Sequence, residues 1–220
     1  MVSHPRDSRA RLLAAAAHEF AARGFDGAKV DRIAVRARVN KAMLYYHFKN
    51  KAALYREILR DVFGTVGHMV QAARAAGGTP EEQLRAFIVA IAAGATTRPH
   101  FPAIWLREMA EGGRHLDDSV VLEVRRVMQV LGAILGEGQA AGRFRHVHPF
   151  IAQMGIVAPL LLFSASTPVR ERFMAHAPFP VTDISPKAVI EHVQAMTLAA
   201  LAATDTAGPR RPAVPRRRKS

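Results

Sequence analysis

Hydrophobic residues recur every three or four positions over most of the chain, and this spacing predicts amphipathic helices. In the first helix, expected over about 7–23, the residues on one face are Leu13, Ala17 and Phe20. Gly24 follows directly, and glycine suits the positive φ found where helices end. No segment alternates with period two for long, so we expect an all-α fold with essentially no sheet.

Helix-capping residues define three further helices in the N-terminal region. The second is expected over about 29–37, and the third runs from its N-cap Asn40 to about residue 48. Asn50 then caps a long fourth helix. The apolar positions that should dock the third helix on the first are Val39, Leu44 and Phe48.

The pair Gly77-Gly78 ends the fourth helix, and Thr79, Pro80 and Glu82 form a capping-box start for the next. Later helices are expected at about 80–96, 101–112, 118–141, 148–164 and 186–204. The chain therefore divides into an N-terminal head (residues 1–50), a helical body (51–204) and a tail (205–220). The tail is rich in Pro and Arg and has nothing to bury, so we expect it to be disordered.

Basic residues are concentrated at the two ends of the chain. Residues 1–60 hold 13 Lys and Arg against 5 Asp and Glu, whereas residues 61–204 hold 12 against 12. Residues 205–220 hold 6 against 1, and the whole chain carries a net charge of +13. A neutral body with basic ends is typical of proteins that bind a polyanion. The alternative, charge kept for general solubility, would be spread more evenly.

The third helix combines cationic, aromatic and hydrogen-bonding side chains within its first two turns. Its sequence is Lys41-Ala42-Met43-Leu44-Tyr45-Tyr46-His47-Phe48, followed by Lys49 and Lys51. A helix that enters a DNA major groove by its N-terminal end needs such a face. The alternative is that the aromatic triplet packs the head against the body. The capped turn before it and the lysines after it favour DNA.

The stretch from Val30 to Phe48, with the preceding helix and Lys49-Asn50-Lys51-Ala52-Ala53-Leu54, resembles the DNA-binding domain of TetR-family transcriptional regulators. The resemblance covers roughly residues 8–60. It implies a helix-turn-helix head in which Met43 and Tyr45 approach base edges while Tyr46 and His47 bind phosphates. It also implies a phosphate contact for Lys51. Neither Met43 nor Tyr45 matches the bidentate base readers, so specificity leans on Lys41 and on DNA shape.

Two positions depart from the family pattern. The hydroxyl residue that usually caps the second helix is replaced by Ala28-Lys29, where Lys29 can act on phosphate as a point charge. The usual glycine of the turn is Arg38, which costs some strain if φ is positive but adds a cation. The candidate DNA-binding residues are Lys29, Arg38, Asn40, Lys41, Met43, Tyr45, Tyr46, His47 and Lys51.

The resemblance also implies that the body dimerises and binds a small-molecule inducer. Large, adaptable apolar residues are the candidates for the pocket, although each can equally be plain core: Phe87, Ile91, Trp105, Met109, Met128, Leu131 and Met154. Nearby charges either orient a polar ligand or form a solvated face, namely Arg107, Glu108 and Arg125.

The helices around 150–163 and 186–201 are the best candidates for a dimer interface. The first is apolar almost all round, with Gln153 as its main polar group, and such a helix must be covered on both sides. A partner helix from a second subunit covers it; full burial inside one subunit is the alternative.

Other classes of protein lack support in the sequence. The absence of cysteine excludes disulfides and thiolate metal sites and fits a cytoplasmic protein. The pair His146 and His148 has no clustered carboxylate, so we expect no metal site and no cofactor. No catalytic motif is present, so we expect no enzyme. The longest apolar run, 154–163, is too short to span a membrane.

The sequence thus predicts an all-α, homodimeric, ligand-responsive repressor that binds a near-palindromic operator in double-stranded DNA. A small apolar or amphipathic inducer would release it. The main alternative is an architectural DNA-binding protein without an inducer. A weaker alternative is a small-molecule enzyme with a vestigial head, which would be marked by a reactive pair of titratable groups in the pocket.

Overall fold

A computed structural model describes residues 5–173, 176 and 184–203 of the chain, apart from the side chains of residues 5 and 6. Within these residues the fold is all-α, and the only β-type pairing is an isolated bridge between Phe144 and Ala202. The helices described are α1 (Pro5–Gly27), α2 (Val30–Ala37), α3 (Lys41–Phe48), α4 (Lys51–Ala75), α5 (Pro80–Thr97), α6 (Phe101–Ala110), α7 (Asp118–Ala140), α8 (Pro149–Ala165), α9 (Thr167–Phe173) and α10 (Pro186–Leu201). The predicted tail, 205–220, lies outside the described residues.

The end of α1 is set by Gly24. This residue adopts φ 69° and ψ 179°, so the helical geometry breaks there although the element extends to Gly27. Phe25 turns back and stacks on Phe20, with ring centroids 6.0 Å apart. The predicted helix-ending role of Gly24 is confirmed.

The predicted helix starts are confirmed by their side-chain caps. The carboxamide oxygen of Asn40 accepts a 2.9 Å hydrogen bond from the backbone N–H of Ala42, and that of Asn50 accepts from Ala53 at 2.8 Å. Thr79 and Glu82 form both bonds of the capping box. Each of these caps satisfies a backbone donor that the helix itself leaves free.

Helix α9 was not predicted. It has only seven residues, too few for a helical period to be read from the sequence, and none of them is buried. None of the described helices is by itself both long and apolar enough to cross a membrane. Only α8 and α9 taken together, bent by 61° at their junction, reach that length and hydropathy.

Helix α4 is the first helix of the body and also packs against the head. Its N-terminal half buries Leu54 and Leu59 against the head, where α2 and α3 pack on α1. Its C-terminal half buries Val66 and Val70 against α5 and α7. Helices α8 and α10 pack on each other and on α5. Helix α4 therefore joins the two halves of the molecule.

Candidate nucleic-acid interface and apolar cavity

The turn between α2 and α3 has the left-handed backbone that the sequence predicts. Arg38 adopts φ 54° and ψ 48°, and its N–H donates to the carbonyl of Val35 at 3.1 Å. The N–H of Val39 donates to Ala34 at the same distance. A non-glycine residue in this conformation is strained, and the two hydrogen bonds hold it there. The turn sets α3 at a fixed angle to α2.

Helix α3 presents two different faces. Leu44 and Phe48 are buried in the core of the head, as predicted, and Val39 is partly buried. On the other side Tyr45 is 48% exposed and Tyr46 is 74% exposed. These two rings therefore do not pack the head against the body, which removes that alternative for both of them.

Other candidates on α3 already have partners within the head. Lys41 Nζ lies 2.7 Å from the carboxylate of Asp31, and this hydrogen bond raises the pKa of Lys41. A ring nitrogen of His47 lies 2.9 Å from Ser8 Oγ. Met43 is partly buried against the core, and the oxygen of Asn40 is occupied by the cap of α3. Contact of these residues with DNA stays a prediction.

Lys51 sits in a more enclosed place than the sequence indicates. Its ammonium donates to the carbonyl of Phe25 at 2.9 Å and to that of Ala28 at 3.1 Å. The same nitrogen lies 4.4 Å from the centre of the Phe25 ring. Two of its three N–H donors are thus engaged, and one remains for a phosphate.

Exposed cations without an ion pair among the described residues lie at the ends of α2 and α3. Lys29 occupies the N-cap position of α2 and makes no side-chain cap, as its residue type predicts. Sequence reasoning did not select Arg36 or Val35, which is 78% exposed. The unpaired cations are Lys29, Arg36, Arg38 and Lys49.

A cavity of about 320 Å³ lies in the body between α4, α5, α6, α7 and α8. Phe63, Phe101 and Trp105 form an aromatic cluster on its wall, with the Phe63 and Trp105 ring centroids 4.8 Å apart. Phe150 and Leu162 line the cavity and are also exposed, so it opens to the surface beside α8. The predicted pocket residues that line it are Ile91, Trp105, Met109, Met128 and Met154.

Two predicted pocket residues are corrected by the structure. Phe87 and Leu131 are fully buried and do not line the cavity. Phe87 lies one turn before Ile91, and Leu131 lies about one turn after Met128, where the helices are already packed together. Nor do Arg107, Glu108 and Arg125 line it. Which residues line a cavity depends on how the helices pack together, and the sequence does not show this. The wall residues that were not predicted are Phe63, Val66, Gly94, Ala95, Phe101, Leu106, Val124, Val127, Phe150, Val157, Ala158, Leu161 and Leu162.

Glu108 is instead the centre of a buried polar cluster at the junction of head and body. Only 1% of it is exposed. It accepts hydrogen bonds from the Tyr55 hydroxyl at 2.8 Å and from the backbone N–H of His115 at 2.8 Å, and Nδ1 of His115 lies 3.0 Å away. Burial raises the pKa of Glu108, but these hydrogen bonds outweigh it and hold the pKa below its ordinary value. Burial and the Glu108 carboxylate raise the pKa of Tyr55.

The same cluster contacts the end of α1. The ring of Phe25 lies 4.0 Å from that of His115 and 5.2 Å from that of Tyr55. Arg114, in the loop after α6, pairs with Asp26 at 2.5 Å. Since Trp105 and Met109 on α6 line the cavity while Glu108 on the same helix binds Tyr55, α6 connects the cavity to the head.

The described residues include no group of three or more His, Cys, Asp or Glu side chains placed to hold a metal ion. The Nδ1 atom of His148 accepts a hydrogen bond from the backbone N–H of Phe150 at 3.2 Å, so this histidine caps α8.

Comparison with known proteins gives consistent matches for both halves. Residues 12–58 match the family model of bacterial regulatory proteins of the tetR family, and residues 77–160 match the tetracyclin repressor-like C-terminal domain. The transcriptional repressor NicS of Pseudomonas putida is 29% identical over 140 residues, which cover 63% of this chain and 66% of NicS, just under two thirds of that relative. The repressor KstR2 of Mycolicibacterium smegmatis is 31% identical over 145 residues, which cover 65% of this chain and 70% of KstR2.

A solved structure extends the likeness over nearly the whole fold. A tetR-family regulatory protein from Rhodococcus RHA1 superposes with a TM-score of 0.73 at 20% identity, covering 93% of this chain and all of that one. The head geometry, the helical body and both family models agree. The chain belongs to the TetR family of bacterial transcriptional regulators.

Proposed function

We propose that this protein is a ligand-responsive transcriptional repressor. Two subunits bind a near-palindromic operator, each with one α3 in a major groove, and a small apolar or amphipathic molecule in the cavity releases them. The observation that carries the proposal is the double role of α6, which lines the cavity with Trp105 and holds α4 through Glu108. Two of the relatives, NicS and KstR2, are named as repressors.

The exposed face of α3 supports the DNA-binding part. Tyr45 and Tyr46 project from it, and exposed cations without ion pairs lie at both of its ends. Lysine and arginine near phosphates gain affinity by releasing counterions, while side chains near the start of the helix can reach base edges.

Exposed apolar faces on α8 and α10 support the dimer. Ile151 is 65% exposed and Met196 is also exposed, although α8 and α10 already pack on each other. Exposed apolar surface of this kind is typical of an interface. The α8 face is formed by Phe150, Ile151, Met154, Gly155, Ala158 and Leu162.

A charge placed on this face tests the dimer. Ile151→Glu should convert the protein to a monomer in sedimentation experiments, because the carboxylate would be buried at the interface without a partner. Val121→Glu on α7, where the side chain is 50% exposed, is the matched control and should stay dimeric. If Ile151→Glu remains dimeric and folded, α8 is not the interface.

Selection of binding sites from random DNA tests the repressor proposal most directly. A dimer should enrich two inverted half-sites, with centres about one helical turn, roughly 34 Å, or a multiple of it apart. Trp105, the only tryptophan, then reports cavity binding by fluorescence while operator affinity is measured in parallel. Ligands that occupy the cavity without changing operator affinity contradict the release mechanism.

The alternative, an architectural DNA binder without an inducer, predicts a filled body and little sequence preference. The cavity weighs against it, and a selection without an enriched motif would favour it. An enzyme requires reactive titratable groups, and the described wall of the cavity carries none.

A further inference from the structure

The cavity wall is almost entirely apolar. Among its described lining residues Gln153 is the only one with a polar side chain apart from the indole N–H of Trp105, and none carries a charge. A charged group brought into such a wall loses its hydration without compensation. The buried part of a ligand must therefore be uncharged.

Gln153 stands out in this wall because the buried oxygen of its carboxamide, Oε1, has no hydrogen-bond partner among the described residues. The residue is 9% exposed. An unsatisfied buried amide destabilises a protein, whereas an apolar residue of the same shape at that position does not. Proteins break the rule that buried polar groups are hydrogen-bonded mainly at functional sites.

We infer that the effector is an uncharged, largely apolar molecule with one hydroxyl or carbonyl group that hydrogen-bonds to Gln153. This inference rests on the proposed function, because it describes the molecule that occupies the same cavity. A carboxamide both donates and accepts, so a hydroxyl matches either orientation of it. Carboxylate and ammonium ligands are excluded from the position beside Gln153.

Three eight-carbon probes with different head groups test this chemistry: 1-octanol, octanoate and octylammonium. Their common chain is flexible enough to follow the cavity. Titration calorimetry on the full chain should show that 1-octanol binds. The affinity for each of the two charged probes should be at least about tenfold lower. The Gln153→Met variant, which keeps length and flexibility, should bind 1-octanol about tenfold more weakly. Gln71→Met, at an exposed position on α4, is the matched control and should bind like the native protein.

A second measurement needs no ligand. Gln153→Met should raise the melting temperature of the free protein by roughly 2–4 °C, because it removes an unsatisfied buried amide. Gln71→Met should leave it unchanged. A carboxamide kept for structural reasons would give the opposite result, a lower melting temperature in Gln153→Met.

The inference is overturned if 1-octanol does not bind, if octanoate binds as tightly, or if Gln153→Met leaves the affinity for 1-octanol unchanged. Its failure is distinguishable from failure of the proposed function. If 1-octanol binds through Gln153 and leaves operator affinity unaltered, the ligand class stands and release is wrong. If octanoate binds more tightly and releases DNA, release stands and the ligand class is wrong.

Discussion

The hydroxyl of Tyr55 donates a 2.8 Å hydrogen bond to the carboxylate of Glu108, and both residues are buried. Tyr55 lies in the first turns of α4, which supports the head, and Glu108 lies in the helix that lines the cavity. A hydrogen bond to a charged acceptor in a buried site is directional and stronger than one between neutral groups. A shift of α6 therefore displaces the head end of α4 unless this bond breaks.

Removing the Tyr55 hydroxyl should uncouple the two halves. In Tyr55→Phe we expect the affinity for a cavity ligand, and the operator affinity without that ligand, to stay within about twofold of the native values. The loss of operator affinity that the ligand causes should become several-fold smaller. Coupling between sites in such proteins is typically about 1–3 kcal/mol. The measurement is operator binding by fluorescence anisotropy with and without a saturating cavity ligand. If the ligand effect persists in full, coupling runs through another contact, such as Arg114 with Asp26.

Lys41 is predicted to read a base edge, and its ion pair with Asp31 gives the test a partner. Lys41→Ala should relax preference at one or two positions per half-site by roughly tenfold. Asp31→Asn, which leaves the lysine unpaired, should keep those preferences and raise affinity at low salt. Both are measured by competition among single-substituted operators. If Lys41→Ala instead lowers the affinity equally for every operator sequence, Lys41 contacts phosphate and not a base.

Tyr46 is predicted to bind phosphate. Tyr46→Ala should weaken binding to all sequences by similar factors and leave sequence preference intact, since phosphate contacts carry no sequence information. Tyr46→Phe removes only the exposed hydroxyl and should reproduce most of the loss of DNA affinity. A changed preference in the selected motif would show that Tyr46 reads bases.

Lys51 combines a structural contact with a predicted phosphate contact. Lys51→Met should lower the free energy of unfolding by about 1 kcal/mol, because the carbonyls of Phe25 and Ala28 lose a charged donor. If it also binds phosphate, the slope of log affinity against log salt should fall by about one. A variant that is less stable but keeps the native slope assigns Lys51 to structure alone.

Gly138 allows a close approach that a methyl group would obstruct. A Cβ built there would meet the buried ring of Phe144 at 2.0 Å. Gly138→Ala should therefore destabilise the protein by about 1–3 kcal/mol. Gly136→Ala, on the same helix with nothing within 4 Å of the new Cβ, should be neutral or stabilising by up to about 1 kcal/mol. Urea unfolding of both variants checks this; equal stability would contradict the packing argument.

The Glu108 cluster also predicts a dependence of stability on pH. The folded pKa of Glu108 lies below its ordinary value of 4.5, so its contribution is present above pH 4.5 and is lost as the pH falls through the folded pKa. Glu108→Gln should be less stable than the native protein at pH 7 and lose less stability between pH 4.5 and lower values. Urea unfolding across this range is the measurement. An unchanged acid dependence would assign the loss to other carboxylates, such as Glu19.

Local chemistry explains why so much of the fold could be predicted from the sequence. Asn40, Asn50 and Thr79 cap helices through backbone groups two or three residues away, and Gly24 and Arg38 hold positive φ within their own turns. Such interactions depend only on neighbours in the chain. The longer helices and the turn of the helix-turn-helix follow from them, and helical periodicity accounts for the buried positions Leu44 and Phe48.

Contacts between distant segments could not be predicted, because periodicity shows that a residue is buried and does not show against what. Phe87 and Ile91 share a helical face, yet only Ile91 meets the cavity. Glu108 looked available to a ligand, but Tyr55 and His115 hold it in the junction. The amino-acid sequence by itself determined the helices, their caps and the head that resembles a DNA reader. Only the tertiary structure decided which side chains line the cavity and which join it to the head, because packing between helices fixes those neighbours.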